Sequence, residues 1–284
     1  MSNVKKLLRP YYYNYLYNRK LNQINIKKEQ IIILATIAKS GTHYFKFLLS
    51  NYVNLLNDKK NSKPLSPRGV NDYFPNIWHK SYAGKGFKII KPLNKTIETI
   101  GYYDMPRTHV QYDKRMHGSK ILHLYRNPLD YCVSMYYYKY VNNPLFKNYL
   151  NSPYEVFENE FDKYIYPYLS YKKESFRKKN NILRISYEDF VMNTEIVFNI
   201  ILKWLGVEVD VQLVQKAIFN SSKNTLKKFE KKEPIHIGRS NLKDSFLRSG
   251  KVGEWKKYFT NIQVKNVNKK LARFNLSLDE FIIL

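Results

Sequence analysis

A short loop near the start of the chain has the side chains and the position to bind a phosphate. It follows the apolar run 31–35 and reads Thr36-Ile37-Ala38-Lys39-Ser40-Gly41-Thr42. Lys39 supplies a point charge, Thr42 a hydroxyl, and Gly41 lets the main chain approach an anion closely. Unpaired N–H groups at the start of a following helix would favour the same anion. An ordinary strand-to-helix turn with one surface lysine would also fit this loop.

This loop is not the P-loop of nucleoside triphosphate enzymes. The pattern G-x-x-x-x-G-K-[ST] is absent, since the order here is Lys, Ser, Gly, Thr. The sequence also offers no convincing aspartate at the end of a strand to hold magnesium. We therefore expect phosphate chemistry without a metal, in which lysine, arginine and backbone dipoles carry the charge.

A second pair of polar residues follows the second apolar run. Arg126 opens the turn after residues 121–125, and Ser134 lies eight residues further along the chain. An arginine offers a planar fork to a phosphate, and a serine offers one hydroxyl. In a parallel sheet, the neighbouring strand end would bring this pair close to the first loop. Taken alone, the pair would fit a surface arginine and a helical serine.

Strands that alternate with helices would position these groups. The apolar runs 31–35, 121–125 and 182–186 each precede a segment with helical periodicity. The first such helix has a clear apolar face, formed by Phe45, Leu48, Leu49, Tyr52, Val53 and Leu56. A tyrosine-rich helix is expected after Pro128, and a third helix is expected to stop at Gly206. The pattern predicts an α/β fold with a central parallel sheet flanked by helices, whose ligand lies at the carboxyl ends of the strands.

Length and composition bound the class of protein. The chain has 284 residues, of which 44% are hydrophobic, so it can bury a large core and is not a disordered chain. We expect a basic, tyrosine-rich arm over residues 1–29 and one domain over residues 30–284. The longest apolar run, 31–38, is far shorter than the roughly 20 residues that a membrane span needs. The single cysteine, Cys132, and the lack of a secretory signal predict a cytoplasmic protein.

The net charge of +26 suggests an anionic partner, although a compositional bias of the whole proteome explains it equally well. Two different functions remain open on these features. The phosphate loop leaves open a kinase that uses ATP. The basic charge leaves open a protein that binds nucleic acid or an anionic membrane surface.

Four motifs together resemble the cytosolic-type sulfotransferases. They occur in the order of that family and are Lys39-Ser40-Gly41-Thr42, Arg126-Asn127-Pro128-x-Asp130-x-x-x-Ser134, Tyr187-Glu188-Asp189, and Arg248-Ser249-Gly250-x-x-Gly253-x-Trp255-Lys256. The resemblance implies a P-loop-like α/β fold and the sulfuryl donor 3′-phosphoadenosine 5′-phosphosulfate (PAPS). The product would be adenosine 3′,5′-bisphosphate (PAP).

The resemblance also implies roles for individual residues on the donor. The segment Lys39 to Thr42 would bind the 5′-phosphosulfate, with Lys39 at the bridging oxygen of the leaving phosphate. His43 stands where the family usually has a second threonine, and Tyr44 stands where it often has a tryptophan that stacks on adenine. These two positions therefore depart from the family in their contacts to the donor.

The resemblance implies further contacts to the donor from residues later in the chain. Arg126 and Ser134 would bind the 3′-phosphate, and Tyr187 would contact the adenine edge. Arg248 and Gly250 match a final Arg-Lys-Gly clamp, in which Ser249 replaces the lysine, so one cation is missing there. Leu226 or Phe229 would cover the second face of adenine.

His109 is the predicted general base. Arg107-Thr108-His109 resembles the Lys-Thr-His segment of the family and lies 17 residues before Arg126. The pKa of histidine suits the removal of a proton from an acceptor hydroxyl. His123 lies inside an apolar strand and is predicted to be a core residue.

The sequence thus predicts in-line transfer of a sulfuryl group from PAPS to a hydroxyl, with an amine as the less favoured acceptor. The acceptor would be a small molecule, a lipid or a carbohydrate. Its pocket would be built by residues 57–105 and 136–170, whose tyrosines suit either stacking on the acceptor or plain packing. Nucleic acid is not an expected partner, peripheral contact with a membrane stays open, and so does the oligomeric state.

Overall fold

The central sheet of this computed structural model has four parallel strands within the described residues. The structure describes residues 32–57, 63–66, 70, 107–109, 111–112, 116–143, 145–177, 181–231 and 248–281. The strands are β1 (Ile32–Thr36), β2 (Arg107–Thr108), β3 (Lys120–Tyr125) and β4 (Ile182–Ser186), in the spatial order β2-β1-β3-β4. The predicted arm, residues 1–29, lies outside these residues, as does most of segment 57–105.

The order of the strands places a crevice between β1 and β3. After β1 the chain proceeds to β2 on one side of the sheet, and after β3 it proceeds to β4 on the other side. Leu34 pairs with Leu122, so the carboxyl ends of these two central strands lie side by side. In parallel sheets, ligands bind at such a switch point. The first loop and Arg126 follow β1 and β3, and so they flank this crevice.

Helices cover both faces of the sheet. They are α1 (Thr42–Asn57), α2 (Pro128–Met135), a π-helix (Tyr136–Val141), α3 (Pro153–Ser175), α4 (Tyr187–Met192), α5 (Thr194–Leu205), α6 (Val211–Asn220), α7 (Lys223–Glu230) and α8 (Asn261–Ala272). One hydrophobic core contains residues of α1, α5 and α6, and the other contains residues of α2, α3 and α8. The predicted α/β fold with a covered parallel sheet is confirmed. No helix in the described part of the chain is long and apolar enough to cross a membrane.

Several local expectations are confirmed by the helix boundaries. The predicted apolar face of α1 lies in the first core, where Phe45, Leu48 and Tyr52 are fully buried. Helix α2 begins with Pro128 after Asn127, whose side chain accepts hydrogen bonds from two backbone N–H groups. Helix α5 ends at Gly206, which adopts the left-handed conformation that a helix terminus favours.

The tyrosine-rich helix differs from its prediction. The α-helical pattern ends at Met135, and residues Tyr136–Val141 continue as a π-helix. A π-turn adds a residue to the turn and so changes the direction in which the following side chains point. Tyr140 is buried in the second core, whereas Tyr137 and Tyr138 contact basic side chains of two loops described below.

Candidate active site

The loop between β1 and α1 is held to the end of β3 by Ser40. The oxygen of this fully buried hydroxyl lies within hydrogen-bond distance of two carbonyl oxygens, those of Ile37, at 2.6 Å, and Leu124, at 3.0 Å, which share its one proton. The backbone N–H of Ile37 also donates to Leu124, at 2.8 Å. The Ser40 side chain therefore shapes the loop, and an anion bound here would be held through backbone groups and through Lys39.

Two residues on either side of Ser40 have left-handed backbones. Lys39 has a φ of 68° and Gly41 a φ of 85°, and such turns direct N–H groups into an anion-binding concavity. The first helical hydrogen bond of α1 runs from Phe45 to Gly41, so the loop leads directly into the positive end of a 16-residue helix. The Lys39 ammonium lies 4.1 Å from the ring centroid of Tyr138. The π-helix thus contacts the predicted phosphate loop.

Tyr187 packs against Gly41 so closely that a β-carbon there would lie 2.6 Å from the ring atom Cδ2. The Tyr187 hydroxyl donates to the carbonyl oxygen of Gly250 at 2.9 Å. The guanidinium of Arg126 lies 4.3 Å from the centroid of the same ring. Tyr187 therefore contacts three of the predicted donor-binding segments at once.

Arg126 connects the first loop to the last motif. It is only 6% exposed, and its two terminal nitrogens donate to the carbonyl oxygens of Lys39, at 3.3 Å, and Lys251, at 3.1 Å. Asp130 and Glu188 each place a carboxylate oxygen 3.9 Å from the guanidinium. Burial raises the pKa of Glu188 to about 7, although the Arg126 charge opposes that shift. Two acidic side chains thus flank one buried cation.

Asp130 fixes the last motif in place. Its carboxylate accepts the backbone N–H groups of Gly253, at 2.7 Å, and Trp255, at 2.9 Å. Arg248 forms a two-point ion pair with Glu254, with N–O distances of 2.8 and 2.6 Å, and lies over the ring of Tyr137. The backbone of the motif therefore lies beside Arg126 and Tyr187, while the side chain of Arg248 is held by its own segment.

His109 lies at the carboxyl end of β2, next to the end of β1. Its Nδ1 is 2.7 Å from the hydroxyl oxygen of Thr36 and 3.0 Å from the Thr36 carbonyl oxygen. A carbonyl oxygen can only accept, so this contact favours the tautomer with the proton on Nδ1, which leaves the basic lone pair on Nε2. The Thr42 hydroxyl donates to the same Thr36 hydroxyl oxygen at 2.9 Å. The predicted base is thereby connected to the phosphate loop through one threonine.

Three other residues predicted to contact the donor, Tyr44, His43 and Ser134, lie in helices beside the site. Tyr44 lies 5.2 Å from Phe190 between ring centroids, and its hydroxyl is 3.3 Å from that of Thr194. His43 lies in the first turn of α1, and Ser134 lies half-buried in the second turn of α2. The roles predicted for these three residues stay predictions.

The structure separates the two residues predicted to cover the second face of adenine, Leu226 and Phe229. Leu226 is 2% exposed and packs with Phe47 and Val70, so it is a core residue. Phe229 is only half-buried in the same helix, α7. His123, by contrast, is fully buried as predicted and stacks on Tyr171, with 4.4 Å between ring centroids.

Sequence reasoning assigned no role to several residues that build this site. Thr36 orients His109, and Asp130 and Glu188 flank Arg126. The spacing of four between Arg126 and Asp130 near a helix start was a usable signal for the ion pair. No sequence signal pairs Lys223 with the last motif, yet its ammonium donates to the carbonyl oxygens of Arg248 and Ser249.

The chain is similar to known proteins in sequence and in fold. A family described as "Sulfotransferase domain" matches residues 29–273. Cytosolic sulfotransferase 14 of Arabidopsis thaliana is 25% identical, over 87% of this chain and 76% of its own. Sulfotransferase 2A6 of Mus musculus is 29% identical, over 87% of this chain and 85% of its own.

Two solved structures have a similar fold. The mouse sulfotransferase SULT7A1 complexed with PAP has a TM-score of 0.58 at 20% identity, covering 87% of this chain and 84% of that one. Retinol dehydratase in complex with androsterone and the inactive cofactor PAP has a TM-score of 0.61 at 16% identity, covering 87% and 81%. At these identities the likeness concerns the fold.

Proposed function

The chain belongs to the sulfotransferase domain family, and on that premise we propose that it transfers a sulfuryl group from PAPS to an acceptor hydroxyl. The observation that carries the proposal is the position of Arg126, which donates to the carbonyl oxygens of both Lys39 and Lys251. Three motifs far apart in sequence thereby meet at the switch point of the sheet, where a ligand of this fold binds.

The residues at this crevice suit a doubly phosphorylated adenosine. Within the described part of the chain, the buried Nε of Arg126 has no hydrogen-bond partner, so its N–H is available to donate to a phosphate oxygen. Gly41 leaves no β-carbon between the loop backbone and Tyr187. We propose that Lys39, Ser40, Gly41, Thr42, His43 and Tyr44 form the 5′ side of the donor site.

We propose a 3′ side formed by residues from the later motifs. Arg126 and Ser134 would hold the phosphate together with Gly250 and the other residues of the last motif, Arg248 and Ser249. Tyr187 would lie at the adenine edge. Arg248 forms its ion pair with Glu254 in this structure, so it reaches a phosphate only by exchanging or sharing that partner.

In the proposed reaction, His109 accepts the proton of the acceptor hydroxyl at Nε2. The contact of Nδ1 with the Thr36 carbonyl oxygen supports this role, because the tautomer that donates there has its lone pair on Nε2. The donor supplies the sulfuryl group and leaves as PAP. Lys39 and the N–H groups at the start of α1 stabilise negative charge at the leaving phosphate, so no metal is needed for that stabilisation.

We propose a small molecule with a hydroxyl as the acceptor, with an amine, a lipid or a carbohydrate as the less favoured choices. Relatives include a flavonol 3-sulfotransferase of Flaveria bidentis and a 3-beta-hydroxysteroid sulfotransferase of Cavia porcellus. Of the tyrosines in segment 136–170, Tyr140, Tyr164 and Tyr168 are buried in the second core, so packing accounts for them. A cytoplasmic location is part of the same proposal.

Transfer of labelled sulfur tests the proposal. The full chain is incubated with ³⁵S-labelled PAPS and a panel of phenols, steroids, sugars and amines, and labelled product is separated from donor. We expect transfer, or slow release of sulfate, by the unaltered chain and a loss of at least about 100-fold in His109→Ala, since a general base contributes about 10²–10⁴-fold. His117→Ala, an exposed histidine outside the site, is the matched control. Equal rates for His109→Ala and the unaltered chain would refute the assigned base.

A further inference from the structure

The ammonium of Lys223 lies against the last motif. Lys223 is the first residue of α7, whose N-cap is Ser222. Its Nζ donates to the carbonyl oxygen of Ser249 at 2.7 Å and to that of Arg248 at 3.1 Å. A residue 26 positions away in sequence therefore places its ammonium against the backbone of Ser249, the position at which the family resemblance expects a lysine.

Four consecutive carbonyl oxygens of the motif accept hydrogen bonds from three donors. Lys223 donates to the carbonyl oxygens of Arg248 and Ser249, the Tyr187 hydroxyl donates to that of Gly250, and Arg126 donates to that of Lys251. The three donors come from three separate parts of the chain, and all contact the same stretch of backbone. The Lys223 ammonium therefore lies along the same strip of chain as Arg126 and Tyr187, which the proposed function assigns to the donor.

The Ser249 side chain does not supply the missing charge. Its hydroxyl oxygen accepts the backbone N–H of Lys251 at 3.1 Å, and the hydroxyl also forms a hydrogen bond with the Glu254 carboxylate. The side chain is thus engaged by its own segment, and the positive charge beside position 249 comes from Lys223.

The surroundings of Lys223 are strongly positive. Partial desolvation and the nearby charges of Lys227, Lys251 and Arg248 lower the pKa of the Lys223 ammonium, and Glu254 alone among the named neighbours opposes them. That carboxylate is already paired with Arg248. Cations gathered in this way repel one another, and an anion with two negative charges would relieve the repulsion.

We propose that Lys223 binds the 3′-phosphate of the donor and replaces the lysine that the last motif lacks at Ser249. The inference rests on the proposed function and deepens it, because it names a further residue that distinguishes a 3′-phosphorylated adenosine from one without that group. Lys223 is then a specificity residue of the donor site as well as a clasp for the backbone of the motif.

The test compares PAP with adenosine 5′-phosphate, which lacks the 3′-phosphate. Isothermal titration of the full chain measures both dissociation constants in Lys223→Gln, whose amide keeps a donor for the carbonyl oxygens but has no charge. We expect PAP to bind about 10- to 100-fold more weakly, as for the loss of one charge-assisted contact, and adenosine 5′-phosphate to change less than about 3-fold. Thermal unfolding of each variant confirms that it folds.

Two further variants sharpen the result. Lys228→Gln removes an exposed charge on the same helix that is not among the named neighbours of Lys223, and it should change the affinity for PAP less than about 3-fold. Lys223→Gln/Ser249→Lys returns the charge to the position that the family uses and should restore most of the affinity. Unchanged binding of PAP by Lys223→Gln, or equal weakening of both ligands, would overturn the inference. A chain that binds no PAP before any substitution would instead overturn the proposed function, and this inference with it.

Discussion

The Nδ1 atom of His109 lies 2.7 Å from the hydroxyl oxygen of Thr36, and that same oxygen accepts the hydroxyl of Thr42 at 2.9 Å. One buried threonine thus joins the proposed base to the proposed phosphate loop. Thr36 ends β1 and His109 follows β2, so the contact depends on the pairing of these two strands. Orientation of the imidazole is in this way tied to the shape of the loop.

Substitution of Thr36 by valine should lower turnover more than donor binding. The variant keeps the shape of the side chain but removes the hydroxyl, at a cost of about 1 kcal/mol, or about a 5-fold fall in kcat. Steady-state kinetics and titration with PAP measure the two effects. Thr36→Ser, which keeps the hydroxyl, is the control, and equal kinetics for the two variants would contradict the role of this contact.

Gly41→Ala should harm the protein more than Gly250→Ala. Both glycines have positive φ angles, 85° and 69°, so an alanine is strained by roughly 1–2 kcal/mol at either position. At Gly41 the new β-carbon also meets Tyr187 at 2.6 Å, whereas at Gly250 the nearest atom is 3.7 Å away. Urea unfolding should show about 1–3 kcal/mol of additional destabilisation for Gly41→Ala. Equal losses would mean that the contact with Tyr187 relaxes without cost.

The architecture was largely predictable because buried parallel strands are continuous apolar runs. The predicted runs 31–35, 121–125 and 182–186 correspond to Ile32–Thr36, Lys120–Tyr125 and Ile182–Ser186. Strand β2 has two residues, too few to produce a pattern, and is defined by its pairing with β1. The π-helix shares its periodic tyrosines with an α-helix, and its contacts to Arg248 and Tyr258 are visible only in the folded chain.

The candidate site was predictable to the extent that its residues lie in short motifs. Loop residues around Lys39 and the turn at Arg126 were located because each follows a strand. Their partners were not, since a hydrogen bond such as that of Lys223 to Ser249 joins segments without a shared local pattern. The sequence also does not distinguish a side chain that stabilises the fold from one that faces a ligand. Ser40 is an example, since its fully buried hydroxyl contacts two carbonyl oxygens of the protein.

Asp130→Asn should loosen the last motif and weaken donor binding. The substitution removes the charge from an acceptor of two backbone hydrogen bonds, each of which contributes about 1.5–3 kcal/mol when the acceptor is charged. We expect PAP to bind roughly 10-fold more weakly and the amides of residues 253 and 255 to exchange hydrogen faster. Asp162→Asn, an exposed acid on α3, is the control and should change neither. Unchanged hydrogen exchange at both amides would contradict the role of Asp130 in fixing the last motif.

Glu188 should make the free energy of unfolding depend on pH. Burial raises its pKa from 4.5 to about 7, so between these values the native state binds more protons than the unfolded state. The contribution of Glu188 to stability is therefore present below pH 4.5 and is lost as the pH rises through about 7, with a slope of at most about 1.4 kcal/mol per pH unit. Glu188→Gln should remove this decline. Urea unfolding from pH 4 to 8 measures it, and identical profiles for the two proteins would show that Glu188 does not titrate in this range.

The central claim is that the loop at Lys39 and the guanidinium of Arg126 together bind a doubly phosphorylated adenosine. Isothermal titration of the full chain with PAP, and separately with ATP and Mg²⁺, tests it most directly, with Arg126→Gln measured beside the unaltered chain. The account predicts that PAP binds at least about 10-fold more tightly than ATP and that Arg126→Gln weakens PAP binding by about 10- to 100-fold. Tighter binding of ATP with Mg²⁺, or equal affinity of Arg126→Gln and the unaltered chain for PAP, would contradict it.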